Sequence, residues 1–257
     1  MKNLTKQKIE LGEATFGLFH VTANSLISEA LTATSIDWLV YDMEASPTDR
    51  MGIVHFLQSL KGSSVTPIVR VLKADNVLVE QALDAGCEMI VVPKVETAEV
   101  CEAMVNASKF PPLGNRGVNP IRASNYLTNV MNYFETSDNN TSVFIQIETK
   151  LAVENIDSLL SVNGLDGVFI GCGDLAMDLG CPGQMDSPVL LEKIDFILKK
   201  CIEYKKIPGV FAYNIDLAKN FAKDGFKLIA FGNDIVMLHK AINNDIETLT
   251  KLNEKGD

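Results

Sequence analysis

Strand-like and helix-like segments alternate along this chain from end to end, and that rhythm restricts its fold more than any other feature. Eight short apolar runs read as strands: Thr15–His20, Trp38–Met43, Thr66–Val71, Glu88–Pro93, Ser142–Ile147, Asp166–Gly171, Ile207–Ala212 and Leu228–Gly232. Between them lie stretches of helical period, such as DNVLVEQALDAG, TAEVCEAMVNASKF and PVLLEKIDFILKKCIEY, with DIVMLHKAINNDIETLTKL after the last strand. Strict alternation implies parallel strands joined by right-handed crossovers. Eight such units in 257 residues fit a closed (β/α)8 TIM barrel, whose usual size is about 250 residues. The expectation is an α/β chain forming a single barrel domain over residues 1–257, with an extra helix before the first strand. An open doubly wound sheet is the structural alternative. No GxGxxG follows the first strand, so nothing favours a dinucleotide fold.

Four of the strands run straight into an ionisable residue. LVYDME ends in Asp42 and Glu44, TPIVRV carries Arg70, SVFIQIE ends in Glu148, and DGVFIGCGD ends in Asp174. A charge just past a buried parallel strand needs a partner or a ligand. In barrels the C-terminal strand ends carry the active site. Neighbouring strands lie about 4.8 Å apart, so carboxylates on adjacent ends can share a cation. Each residue also has a structural reading. Glu148 and Asp174 precede helices and could cap them, Asp42 could cap the following turn, and Arg70 could pair with Glu44.

The three histidines, His20, His55 and His239, form no HExxH or similar spacing, which argues against a histidine-rich zinc site. Two carboxylates with open positions suit Mg²⁺ or Mn²⁺. Lys73 and Lys94 lie near strand ends but not in apolar runs, so they read as surface residues rather than Schiff-base lysines. No GxSxG, Walker loop or Cys/His nucleophile pattern is present. One segment breaks the rhythm: Lys109–Thr141, with PPLGNRGVNPIRASNY and then a polar ETSDNNT tract. A connection this long often serves as a lid or an interface loop, and Arg116 and Arg122 tilt the reading towards function.

A net charge of −10 argues against nucleic acid or an acidic membrane surface as partner, since both need basic patches. MKNLTKQKIELGEATFG has no apolar core after its lysines, and no run approaches the roughly 18 apolar residues of a membrane span. Five cysteines without CxxC spacing (Cys87, Cys101, Cys172, Cys181, Cys201) read as reduced packing residues of a cytoplasmic protein. Cys172, inside IGCGD, is the one placed to face a site.

The stretches GLFHVTANSLISEAL, DWLVYDMEASPTD, VRVLKAD, KFPPLGNRGVNPIRAS, VFIQIET and LDGVFIGCGDLAMDLG occur in an order that resembles the HpcH/HpaI aldolase and citrate lyase family, in particular its metal-dependent class II branch acting on 2-keto-3-deoxy acids. The resemblance covers nearly the whole chain. It implies a (β/α)8 barrel assembled as a homohexamer, a dimer of trimers, whose last helix packs on a neighbouring subunit. It implies a lyase cleaving a 4-hydroxy-2-keto acid to pyruvate and an aldehyde through a metal-bound pyruvate enolate. Glu148 and Asp174 would bind Mg²⁺, Mn²⁺ or Co²⁺, and Arg70 would contact the keto oxygen. The backbone amides of Gly173 and Asp174 would hold the pyruvate carboxylate, with Gln146 near the metal and Phe19 lining the pocket.

Two departures stand out. The family's D-x-E-H-x-P motif carries a histidine that works as general base with the aspartate matching Asp42; here the text is Asp42-Met43-Glu44-Ala45-Ser46-Pro47, and Ala45 moves no proton. Cys172-Gly173 stands where Pro-Ala is usual, and Phe19 where tryptophan is frequent. Asp42 and Glu44 remain the candidate catalytic acids beside Arg70. His20 is a candidate substitute base, although strand alternation turns it away from the face that Phe19 shares. The missing histidine leaves three readings. The first is an aldolase with a substitute base. The second is an oxaloacetate decarboxylase or other keto-acid lyase that needs no hydroxyl deprotonation. The third is a barrel that binds keto acids without catalysis.

Overall fold

A computed structural model describes residues 3–252. Eight parallel strands close into a barrel in sequential order. They are β1 (Thr15–His20), β2 (Trp38–Asp42), β3 (Thr66–Arg70), β4 (Met89–Val92), β5 (Ser142–Ile147), β6 (Gly167–Ile170), β7 (Ile207–Phe211) and β8 (Leu228–Asn233). The eight runs read from the sequence are these strands, displaced by one residue at some ends. The early helices are α1 (Leu4–Glu10), α2 (Ser25–Leu31), α3 (Arg50–Ser59), α4 (Asn76–Asp84) and α5 (Ala98–Ser108). After them come α6 (Val130–Asn140), α7 (Lys150–Glu154), α8 (Ile156–Leu160), α9 (Cys172–Asp178), α10 (Pro188–Glu203), α11 (Ile215–Asp224) and α12 (Asp234–Thr250).

Strand parity divides the core in two. Phe19, Trp38, Val40, Ile68, Met89, Val91, Phe144 and Phe169 fill the barrel, while Leu18, Leu39, Tyr41, Val69, Ile90 and Ile145 face the surrounding helices. Successive side chains on a strand point to opposite faces, so the inward positions continue to a strand's end. Counting by two from Val40, Ile68 and Phe144 arrives at Asp42, Arg70, Gln146 and Glu148. The register that builds the core therefore also delivers these polar groups to the mouth. The other end is closed by α1: Ile9 joins the interior cluster, and Thr5 accepts no slack, its N–H donating to Thr66 Oγ1 at 3.2 Å and its hydroxyl to Asp37 O at 3.2 Å.

The segment Lys109–Thr141 is not a lid over its own mouth. It follows α5 and precedes β5, so it is an αβ connection and lies at the end of the barrel opposite the mouth. Its polar tract forms α6 instead of a loop. Arg116, 1% exposed, donates to Asp84 Oδ1 at 2.7 Å and to Tyr133 Oη at 3.0 Å, with its guanidinium 4.6 Å from the Phe110 ring centre. Arg122 donates to the carbonyl of Ala85. Both arginines tie this segment to the end of α4 and do not reach the mouth of their own chain.

Candidate active site

Asp42, Arg70, Gln146, Gly173 and Asp174 line one pocket of about 230 Å³ at the C-terminal end of the barrel, together with Phe19 and Ala45. Arg70 is its organiser. Its Nε and Nη2 donate to the two oxygens of Asp42 at 2.9 and 2.7 Å, a bidentate fork. Its Nη1 reaches Glu44 Oε2 at 2.9 Å and Gln146 Oε1 at 3.3 Å, and its guanidinium lies 4.9 Å from the Phe19 ring centre. Burial opposes the charge on Arg70, but Asp42, Glu44 and Glu148 outweigh it and leave its pKa raised. Asp42 also accepts from the N–H groups of Glu44 and Ala45, at 3.1 and 3.2 Å. The turn-capping and ion-pair readings of Asp42 and Arg70 thus hold alongside the pocket position.

Glu148 is fully buried just past β5. It is not the helix cap, because Thr149 occupies that position and accepts from Ala152 N–H. Its Oε1 accepts from Lys94 N–H at 2.8 Å, and its Oε2 from Gln146 Nε2. Lys94 holds that N–H in place at φ 52°, a left-handed conformation that a non-glycine residue adopts at a cost of about 1 kcal/mol or more. Burial first, and then the negative charges of Glu44 and Asp174, push the Glu148 carboxyl up to about 7. Burial also raises Glu44, against the pull of Arg70 and Lys94. Asp174 lies in the first turn of α9, where an acid is favoured by the helix dipole.

Counting the charges shows what this mouth lacks. Among the described residues, the cations recorded against Asp42, Glu44 and Glu148 are Arg70 and Lys94, whose Nζ lies 3.9 Å from Glu44 Oε1, and Asp174 adds a fourth negative charge. A divalent cation would neutralise the surplus, and carboxylates are the donors that Mg²⁺ and Mn²⁺ prefer. Each oxygen of Glu148 already accepts one hydrogen bond and keeps a lone pair. Among the described residues no three His, Cys, Asp or Glu side chains are grouped to hold a metal by themselves. Glu148 and Asp174 lie close enough for their charges to interact, and a cation between them would need water or substrate oxygens to complete its shell.

The remaining candidates separate cleanly. His20 faces the outer shell, bonded through Nδ1 to Asp234 Oδ2 at 2.8 Å and stacked on Phe56. Lys73 is exposed beside Asp75. Cys172 lines the pocket, but burial pushes its thiol up to about 12, so it offers no thiolate. All five cysteines are free and buried. Among the described residues no helix is long and apolar enough to cross a membrane. The pocket also contains Tyr213, Phe211 and Asn233, which a search for ionisable strand ends passes over. Tyr213 could have been found by continuing the inward parity of β7 two residues beyond Phe211. A second cleft of about 220 Å³, lined by Gly86, Arg122, Asn125 and Tyr133, lies at the opposite end of the barrel.

Comparison with known proteins agrees with the barrel fold. The profile of the HpcH/HpaI aldolase/citrate lyase family matches residues 15–241. The hydroxypyruvate/pyruvate aldolase of Roseobacter denitrificans is 36% identical over 92% of this chain and 93% of its own length. The 2-keto-3-deoxy-L-rhamnonate aldolase of Salmonella paratyphi A is 30% identical over 95% and 92%. The crystal structure of an HpcH/HpaI aldolase/citrate lyase family protein from Burkholderia cenocepacia J2315 superposes with a TM-score of 0.92 at 26% identity, covering 97% of this chain and all of the other.

The buried Glu148 carries a pH signature. A carboxyl whose pKa is raised on folding costs stability as pH climbs from about 4.5 through about 7. Glu148→Gln removes that ionisation, whereas its hydrogen-bond cost does not change with pH. In metal-free buffer, the Tm of Glu148→Gln relative to the parent is expected to be roughly 4 °C more favourable at pH 8 than at pH 5. Thermal unfolding followed by circular dichroism measures this. The same difference at both pH values would contradict the assignment.

Proposed function

The protein belongs to the HpcH/HpaI aldolase/citrate lyase family and is a carbon–carbon lyase of the aldolase class; we propose that it acts on 2-keto acids at the mouth built around Arg70, Glu148 and Asp174, cleaving a 4-hydroxy-2-keto acid to pyruvate and an aldehyde. The observation that carries this site is the surplus of carboxylates, one of them fully buried, around a single fixed guanidinium. Glu148 and Asp174 would hold Mg²⁺ or Mn²⁺, which when bound supplies Lewis-acid polarisation of the keto oxygen. Arg70, oriented by the Asp42 fork, donates to that oxygen and stabilises the charge that develops in the enolate. Gln146 spans from Arg70 to Glu148 and fixes their separation. The N–H groups of Gly173 and Asp174, in the first turn of α9, have no intrahelical partner and receive the carboxylate.

Ala45 lines the pocket beside Asp42 and carries no proton. That observation favours a second activity of the same centre: decarboxylation of oxaloacetate, which yields pyruvate enolate by loss of CO₂ and requires no hydroxyl deprotonation. A positioned general base is worth about 10²–10⁴-fold, so its absence weakens aldol cleavage and spares decarboxylation.

The assembly is proposed to be a homo-oligomer. Leu238, Ile242, Ile246 and Leu249, spaced four, four and three, leave one apolar stripe of α12 exposed. A neighbouring copy covering that stripe accounts for it, in line with the hexamer implied by family resemblance.

Two measurements follow. With Mn²⁺ present, the parent is expected to decarboxylate oxaloacetate faster than it cleaves a 4-hydroxy-2-keto acid; Arg70→Ala should lower both by about 10²-fold or more, and Ala45→His should raise aldol cleavage selectively by about 10²-fold. Unchanged turnover in Arg70→Ala would sink the assignment. Light scattering on the purified protein should give an oligomer that Leu238→Glu with Ile242→Glu dissociates; a monomeric parent would remove the oligomer from the account.

A further inference from the structure

Tyr213 stands in the mouth without a part in the machinery above. It follows the end of β7 on the inward parity and is 48% exposed at the pocket rim. A run of rings positions it. Arg70 lies over Phe19, Phe19 meets Phe211 with centroids 5.4 Å apart, and Phe211 meets Tyr213 at 4.9 Å. The phenol hydroxyl makes no hydrogen bond to any described residue.

Its position is marked by Gly173. A Cβ added to Gly173 would lie 2.7 Å from the Tyr213 hydroxyl oxygen, closer than real Cβ contacts come. The hydroxyl therefore rests over Gly173 in the first turn of α9. Glycine at 173 leaves it room to do so. Burial pushes the phenol up to about 12, so near neutral pH it carries its proton.

We propose that Tyr213 is a further substrate-binding residue that donates a hydrogen bond from its hydroxyl to the carboxylate of the bound 2-keto acid, with Gly173 as the residue that makes the approach possible. The inference rests on the reading of this mouth as a keto-acid site. The geometry also separates it from the proton-transfer role vacated at Ala45. Tyr213 follows β7 and Ala45 follows β2, with β8 and β1 between them around the barrel.

The test uses the full-length protein with Mn²⁺, oxalate as the binding probe and oxaloacetate as the substrate. Tyr213→Phe is expected to weaken oxalate binding by calorimetry, and raise the KM for oxaloacetate, by about 10-fold, the worth of a hydrogen bond to a charged group. Its kcat should stay within about threefold of the parent, as for loss of an interaction made equally in ground and transition states. Gly173→Ala should shift both quantities in the same direction, and the double variant should be no weaker than the worse single one. Melting curves establish that each variant is folded. Oxalate affinity unchanged in Tyr213→Phe overturns the inference while leaving the keto-acid site intact. A fall in kcat with KM unchanged also overturns it, in favour of proton transfer. A parent that binds no oxalate overturns the keto-acid reading and this inference together.

Discussion

The two-residue period of the barrel strands is the constraint on which the rest depends. Inside a closed parallel barrel, one parity of each strand must be apolar to fill the interior. Val40, Ile68, Phe144 and Phe169 do so here. The same parity, continued to the rim, yields Asp42, Arg70, Gln146 and Glu148. A slip of one residue in any of these strands would bury a charge among the helices and turn a core side chain into the mouth. The fold and the site are thus specified by one pattern.

That pattern concentrates charge at a cost. Glu148 is fully buried beside other carboxylates and rises to about 7. Lys94 adopts a left-handed backbone to give Glu148 its N–H. Arg70 commits four of its five N–H donors to Asp42, Glu44 and Gln146, which leaves one on Nη2. Such strain and like-charge crowding are what a preorganised site accumulates, with the packed barrel beneath supplying the stability that offsets it. A cation and an anionic keto acid together would relieve much of it.

Much of this was legible in the chain before its fold was known. Asp42, Glu44, Arg70, Glu148 and Asp174 announced themselves because a charge ending an apolar run is conspicuous. Some strand ends shifted by one residue, since the last hydrogen bonds of a strand leave little trace in side-chain pattern. Arg116 and Arg122 do not reach the mouth of their own chain; whether a charge in a long connection does so depends on whether the connection follows a helix or a strand. The polar tract that forms α6 carries too weak an apolar stripe to be recognised. Tyr213 escaped because a neutral phenol at a strand end is not conspicuous. Its significance emerges only from how close its hydroxyl lies to where a side chain at position 173 would begin, and Gly173 is one of the positions where the chain departs from the family text.

The central claim is that the excess carboxylates are a cation site facing a keto-acid carboxylate. A crystal structure with Mn²⁺ and oxalate, using the anomalous signal of manganese, tests it most directly. The account predicts one manganese peak between the carboxylates of Glu148 and Asp174, with oxalate against the Gly173 and Asp174 amides and Arg70 still forked on Asp42. Manganese bound elsewhere, or held by Asp42 and Glu44 with Arg70 displaced, would contradict it.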